Sequence, residues 1–310
     1  MEVIGKKSDF FLIKFPILFP LLYILFLYLL KIDENLLVLI TLLILGESHF
    51  GATWPFLINK YNLKMILSNS LYYIQLPILI IITSSILFFT KSEILFLIFY
   101  LANFYHVTRQ SSGIFKLLSN SSKSNLSISN NLIYFFGFLF LIVGILRFYF
   151  NYNFIESNLL IFNLFIFALI ILVIAFHLTI FRSLNSSIIL STGIIMFFPI
   201  CFVDKPIHAI VMGVTMHYVQ YLAMTYKVHI KRFSDKKSIY YFLIIILSYS
   251  GLMTFSTHIS SNTNLFQFML IIPITGQLLH FYYDSLLWKF SVAHNREVTL
   301  NFLKNDKPTY

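Results

Sequence analysis

The sequence predicts an all-α protein, a polytopic bundle of about ten transmembrane helices forming one integral-membrane domain over residues 1–310. Three observations predict it. Hydrophobic residues make up 58% of the chain, charged residues only 11%, and the mean hydropathy is +0.83, which excludes a water-soluble globular protein of this length. The apolar runs reach the roughly 20 residues that a helix needs to cross the hydrocarbon core, without the alternation of an outer-membrane barrel strand. Eighteen of the 22 Lys and Arg residues lie at the termini or beside alternate loops, as the positive-inside rule demands.

Taken in order, spans are expected near 10–31, 35–58, 67–90, 92–118, 131–150, 158–182, 186–203, 206–226, 238–257 and 264–292, the two longest passing the membrane surface. The breaks are short and polar. Lys31, Asp33 and Glu34 interrupt a long apolar run after the first span, and the Ser- and Asn-rich stretch 119–131 reads as a loop. The first run lacks a small-residue cleavage pattern and reads as a retained helix. There is no clear internal repeat. Cys201 is the sole cysteine, so no intrachain disulfide or multi-thiolate site is expected.

Lys6, Lys7, Lys14, Lys289, Arg296, Lys304 and Lys307 lie near the termini. Lys60, Lys64, Arg109, Lys116, Lys123, Arg182, Lys227, Lys231, Arg232, Lys236 and Lys237 follow even-numbered spans, whereas only Lys31, Lys91, Arg147 and Lys205 follow odd ones. This asymmetry places both termini in the cytoplasm, with a bacterial inner (plasma) membrane as the expected location. The net charge of +10 is thereby explained without a nucleic-acid partner; the expected partner is membrane lipid.

His49, His106, His217 and His280 lie on four different spans, the second, fourth, eighth and tenth, all running from outside to inside. They fall roughly 11 to 16 residues after the span starts, a spread of about 8 Å at 1.5 Å per residue. A histidine facing lipid is unfavourable, so four at like depth point to one shared metal inside the bundle. Imidazoles suit iron, zinc or copper, and neutral histidines that leave a coordination position open form an oxygen-activating iron site. The competing reading makes them isolated polar residues bonded to neighbouring helices.

At helical spacing, Asp284 and Gln277 flank His280, Asn103 and Gln110 flank His106, and Gln220 and Tyr221 follow His217. Asp284 is the strongest candidate to anchor a ligand, since metal-bound imidazoles usually donate their other N–H to such a group. Glu47, two before His49, is expected to face another way. His177 is a candidate fifth partner, while His208, His229, His258 and His294 read as solvated. Arg109 and Arg182 read as snorkelling to headgroups. The 36 Phe and 19 Tyr are explained by lipid-facing, interfacial and packing use rather than by a polyene tunnel. Pro273, about two turns before His280, is the proline expected to shape the site.

The segments around these histidines resemble a known family. GESHFGA at 46–52, YHVTRQS at 105–111, MHYVQYL at 216–222 and LLHFYYD at 278–284 are similar, in order, to motifs of the Brp/Blh-type β-carotene 15,15'-dioxygenases. The resemblance implies a membrane-embedded, Fe(II)-dependent enzyme that cleaves β-carotene with O2 to retinal. Tyr221 stands where the third motif would carry a second histidine, so His280 would complete the ligand set, with Asp284 and Tyr221 assisting. Membrane desaturases resemble one another in clustered histidines, and no two histidines here are three or four apart. The alternative from another class is a histidine-dependent proton or metal transporter, whose marks are repeated halves and broken helices.

Overall fold

The computed structural model describes residues 5–118, 123–150, 158–181, 183–233, 236–262 and 264–304. Helices account for the regular structure, and no strand occurs among the described residues. The principal segments are α1 (Lys7–Leu29), α2 (Glu34–Leu57), α3 (Leu71–Phe89), α4 (Glu93–Leu118), α5 (Ser127–Tyr149), α6 (Leu159–Thr179), α7 (Leu184–Ile195), α8 (Thr215–Arg232), α9 (Lys237–Ser260) and α10 (Ile271–Leu287). Six of them, α1, α2, α3, α5, α6 and α9, are long and apolar enough to cross a membrane. The chain is therefore an all-α integral membrane protein. Leu160, Ile161, Leu164, Phe165 and Leu172 of α6 are exposed, as a lipid-facing surface requires.

Ten spans were expected, and the other four segments explain the difference. α7 has only 12 residues and α10 only 17. α4 is long, at 26 residues, but carries buried Asn103, His106, Thr108, Ser111 and Ser112. α8 carries buried Thr215, His217, Gln220 and Thr225 and ends in Lys231 and Arg232. Three of the four histidine-bearing helices are thus among the least apolar, because the inward groups that make a polar site also lower hydropathy.

Local chemistry sets the breaks. Asp33 caps α2, its carboxylate accepting from the Leu36 N–H at 2.9 Å. Lys31 (φ 51°) and Lys91 (φ 54°) end α1 and α3 in the left-handed region. At the second, the Ser92 and Lys91 N–H groups donate to the Leu87 and Phe88 carbonyls at 2.9 and 3.0 Å, a Schellman closure. Of the stretch 119–131 expected as a loop, residues 119–122 lie outside the described residues and the rest is helical, within Lys123–Gly144. Two of its polar residues serve packing: Ser129 is fully buried and Asn130 accepts from Ser112. Arg182 lies outside the described residues. Pro273 occupies the first turn of α10, where its missing N–H is tolerated, so it starts the helix and does not kink it.

The chain divides into two compact units, one of Met1–Val38 and Phe104–Gln220, the other of Leu39–Asn103 and Tyr221–Tyr310. In the first, Phe104 stacks on Phe197 with centroids 3.9 Å apart, and the Gln220 amide donates to the Ile13 carbonyl at 2.8 Å. Arg147 is buried in the last turn of α5, donating to the Ile200 carbonyl at 2.5 Å, so it is an internal tie and not a loop charge. In the second unit, Arg232 donates to the Val298 carbonyl (2.6 Å) and the Thr299 hydroxyl (2.9 Å), and Lys227 to the Leu303 carbonyl (2.9 Å). These two cations hold the C-terminal helical turns against α8.

Candidate functional site

The first unit contains His106 of α4 and His217 of α8, both buried, with ring centroids 5.5 Å apart and planes at 84°. His217 follows a π turn at Ile210–Val214. Turns of this kind concentrate at functional sites. There Gly213 is pressed so closely on the Met196 carbonyl that a Cβ would lie 1.8 Å from its oxygen.

The second unit contains His49 of α2 and His280 of α10, with centroids 4.3 Å apart and planes perpendicular. Phe50 and Tyr221 lie 4.9 and 5.4 Å from the His280 ring. His49 and His280 are at most 1% exposed, so these rings share an enclosure that excludes bulk water. His49, too, follows a π turn, Leu42–Gly46, where the Leu43 carbonyl accepts hydroxyls from Ser48 and Ser250.

Hydrogen bonds fix the His280 ring. The Tyr221 hydroxyl donates to Asp284 Oδ1 at 2.7 Å. Thr53 Oγ1 lies 2.6 Å from His280 Nδ1, 3.0 Å from Tyr221 Oη and 3.4 Å from Asp284 Oδ1, so one hydroxyl joins the imidazole to the tyrosine and the carboxylate. His280 Nε2 lies 3.8 Å from Asp284 Oδ2, too long for a hydrogen bond. A metal-ligating histidine is commonly held in this way, its far nitrogen fixed by a partner. Buried imidazoles clustered in this way could hold a metal ion, and their nitrogen donors suit a transition metal better than a hard, oxygen-preferring cation.

Several expected neighbours take other roles. Asp284 reaches His280 chiefly through Thr53 and Tyr221, and Thr53 itself was missed, although it lies one turn after His49 on the same face of α2. Gln220 is tied to Ile13 rather than His217, and Gln277 donates to Glu47 at 2.9 Å rather than to His280. His177 is not shown as a fifth ligand: its Nδ1 and Nε2 pair with Ser187 (2.7 Å) and Ser129 (3.0 Å), joining α6 to residues of α7 and α5.

The remaining histidines also correct the expectation of solvated side chains. His208 is buried between Tyr23 (2.7 Å) and Glu34 (3.0 Å), because a short polar network at the start of α2 can satisfy both ring nitrogens. His229 is buried on α8 with its Nε2 2.8 Å from the Ser238 hydroxyl, and half-buried His294 pairs with Asn62 at 2.9 Å. Burial beside Arg232 holds the His294 imidazole below its usual value. Only His258 is exposed, and it lies on α9, not in a loop.

Fold and site together define an all-helical integral membrane protein with buried imidazole pairs. Comparison with protein-family models, curated proteins and solved structures returns no match.

Proposed function

We propose that the chain is a membrane-embedded, non-haem iron oxygenase acting on a lipophilic substrate, with Fe(II) held by histidines from the set His49, His106, His217 and His280 that the motif resemblance implies. The observation that carries the reading is the enclosed pair of buried imidazoles, His49 and His280, with ring centroids 4.3 Å apart and His280 Nδ1 held by Thr53 at 2.6 Å. The motif resemblance supplies the substrate class, a carotenoid, and the net reaction: one O2 adds across the central C=C bond of β-carotene, giving two carbonyls as two retinal molecules. Bound iron would supply O2 activation.

The chain's own residues have definite tasks in this reading. Thr53, Tyr221 and Asp284 hold the ring of His280 and act through it, as positioning groups. Phe50 and the Tyr221 ring keep water from the imidazoles. Both termini face the cytoplasm of a bacterial plasma membrane, on the charge asymmetry of the loops.

The test is metal analysis of detergent-purified protein by mass spectrometry, beside His217→Ala and, as a folding control, His177→Asn. About one iron per chain, lost in the first variant and kept in the second, supports the reading, and retinal formation from β-carotene is then assayed by chromatography. Absence of transition metal after anaerobic, iron-supplemented purification overturns it and leaves the transporter.

A further inference from the structure

A second buried polar group in the same unit lies on residues that also flank His49 and His280. Glu47 is 3% exposed; its Oε1 accepts from the Gln277 amide at 2.9 Å, while its Oε2 is buried and has no hydrogen-bond partner among the described residues. Tyr249 of α9 packs against Gly51, one turn after Glu47 on α2, and against Gly276, the neighbour of Gln277 on α10, and its hydroxyl is also buried without a hydrogen-bond partner among the described residues. Trp54 approaches the same phenol, but an indole N–H can only donate, so the Tyr249 proton still needs an acceptor.

The packing makes room for this hydroxyl. A Cβ at Gly276 of α10 would sit 2.5 Å from Tyr249 Oη, and one at Gly51 of α2 would sit 3.1 Å from the Tyr249 ring. Two helices thus carry glycine where the tyrosine must enter. A buried donor and a buried acceptor left open together are unfavourable unless something joins them.

We infer that Glu47 and Tyr249 form a subsite for the hydroxyl group of a lipophilic alcohol. A hydroxyl is the group that matches both ends: its oxygen accepts from Tyr249 Oη–H while its own proton goes to Glu47 Oε2. Gln277 holds the other carboxylate oxygen and so fixes the direction of Oε2. The ligand is lipophilic because the subsite lies among helices whose outer faces meet lipid. The inference deepens the oxygenase reading by specifying an oxygenated polyene, and it rests on that reading only for the polyene skeleton.

The experiment is binding of all-trans-retinol and of its deoxy hydrocarbon to the detergent-purified protein. It is read by quenching of tryptophan fluorescence, since Trp54 lies 6.3 Å from Tyr249, ring to ring. Wild type should bind the alcohol about tenfold more tightly than the hydrocarbon, the worth of one to two buried hydrogen bonds. Tyr249→Phe and Glu47→Met should each reduce that ratio below about threefold, with affinity for the hydrocarbon kept as the sign of intact folding. A wild-type ratio near one, or an undiminished ratio in Tyr249→Phe, overturns the inference. Metal content measured on the same samples separates the two proposals: an alcohol preference without iron sinks the oxygenase and keeps the subsite, and iron without the preference does the reverse.

Discussion

Replacing Thr53 by valine tests the hold on His280 directly, since valine keeps the shape and removes only the hydroxyl. Three buried contacts go, with His280 Nδ1 at 2.6 Å, Tyr221 Oη at 3.0 Å and Asp284 Oδ1 at 3.4 Å. The imidazole Nδ1 is then left buried without that partner, which costs about 1–3 kcal/mol. At about 1.4 kcal/mol per factor of ten, that corresponds to roughly 5- to 150-fold in metal affinity if the lost orientation is felt in binding. The range overlaps the 10- to 100-fold typical of losing a group that orients a ligand. The assay is competition for iron against a chelator of known affinity, with thermal unfolding of the metal-free protein in parallel. Thr53→Ser, which restores the hydroxyl, should recover most of both losses. If valine leaves metal affinity and stability as in wild type while serine does no better, the threonine does not hold the ring and the role given to it fails.

Other substitutions probe the rest of the fold. His177→Asn should lower thermal stability by about 1–3 kcal/mol, because Ser129 and Ser187 lose a shared partner, yet leave metal content unchanged; parallel loss of metal would make His177 a ligand after all. Gly213→Ala should destabilise by about 1–3 kcal/mol or more, since its Cβ would meet the Met196 carbonyl oxygen at 1.8 Å and the backbone itself must move; an unchanged unfolding temperature would refute that close approach. His294 is held below its usual value, first by burial and then by Arg232, so the folded state favours the neutral ring. Its contribution to stability is present above the unfolded value of about 6.5 and lost as pH falls through that value toward the lower folded one. His294→Gln should flatten the stability profile over that window, and an identical slope in the variant would count against the assignment.

The membrane class was legible because it depends on composition, and the break at Lys31–Glu34 because charge cannot continue through lipid. Similar depth on four segments pointed to one site shared by His49, His106, His217 and His280; all four are buried, with His106 beside His217 and His49 beside His280. Other features were misread because solvation was inferred from the positions of residues along the chain. His208, His229 and His294 were expected in water, yet each finds polar partners within the protein: Glu34 and Tyr23, Ser238, and Asn62 respectively. Lys227 and Arg232 counted as loop charges, but carbonyls of the C-terminal segment satisfy them in the interior.

The direction in which the site residues point is a different matter from their depth. Depth follows from counting residues at 1.5 Å each, whereas direction requires an unbroken period of 3.6. The π turns at Leu42–Gly46 and Ile210–Val214 break that period just before His49 and His217. One inserted residue turns everything after it by about 100°, so apolar positions earlier in each helix cannot predict which face carries the histidine. The same interruption explains why Gln277 could be assigned to His280 from spacing along α10 and yet be found on Glu47: the choice depends on which face α2 presents after its π turn. Serine hydroxyls at Ser48 and Ser250 occupy the Leu43 carbonyl in that turn, so the phase shift is supported by side chains from both α2 and α9. A reading that registers only hydrophobic and polar character sees two ordinary serines there.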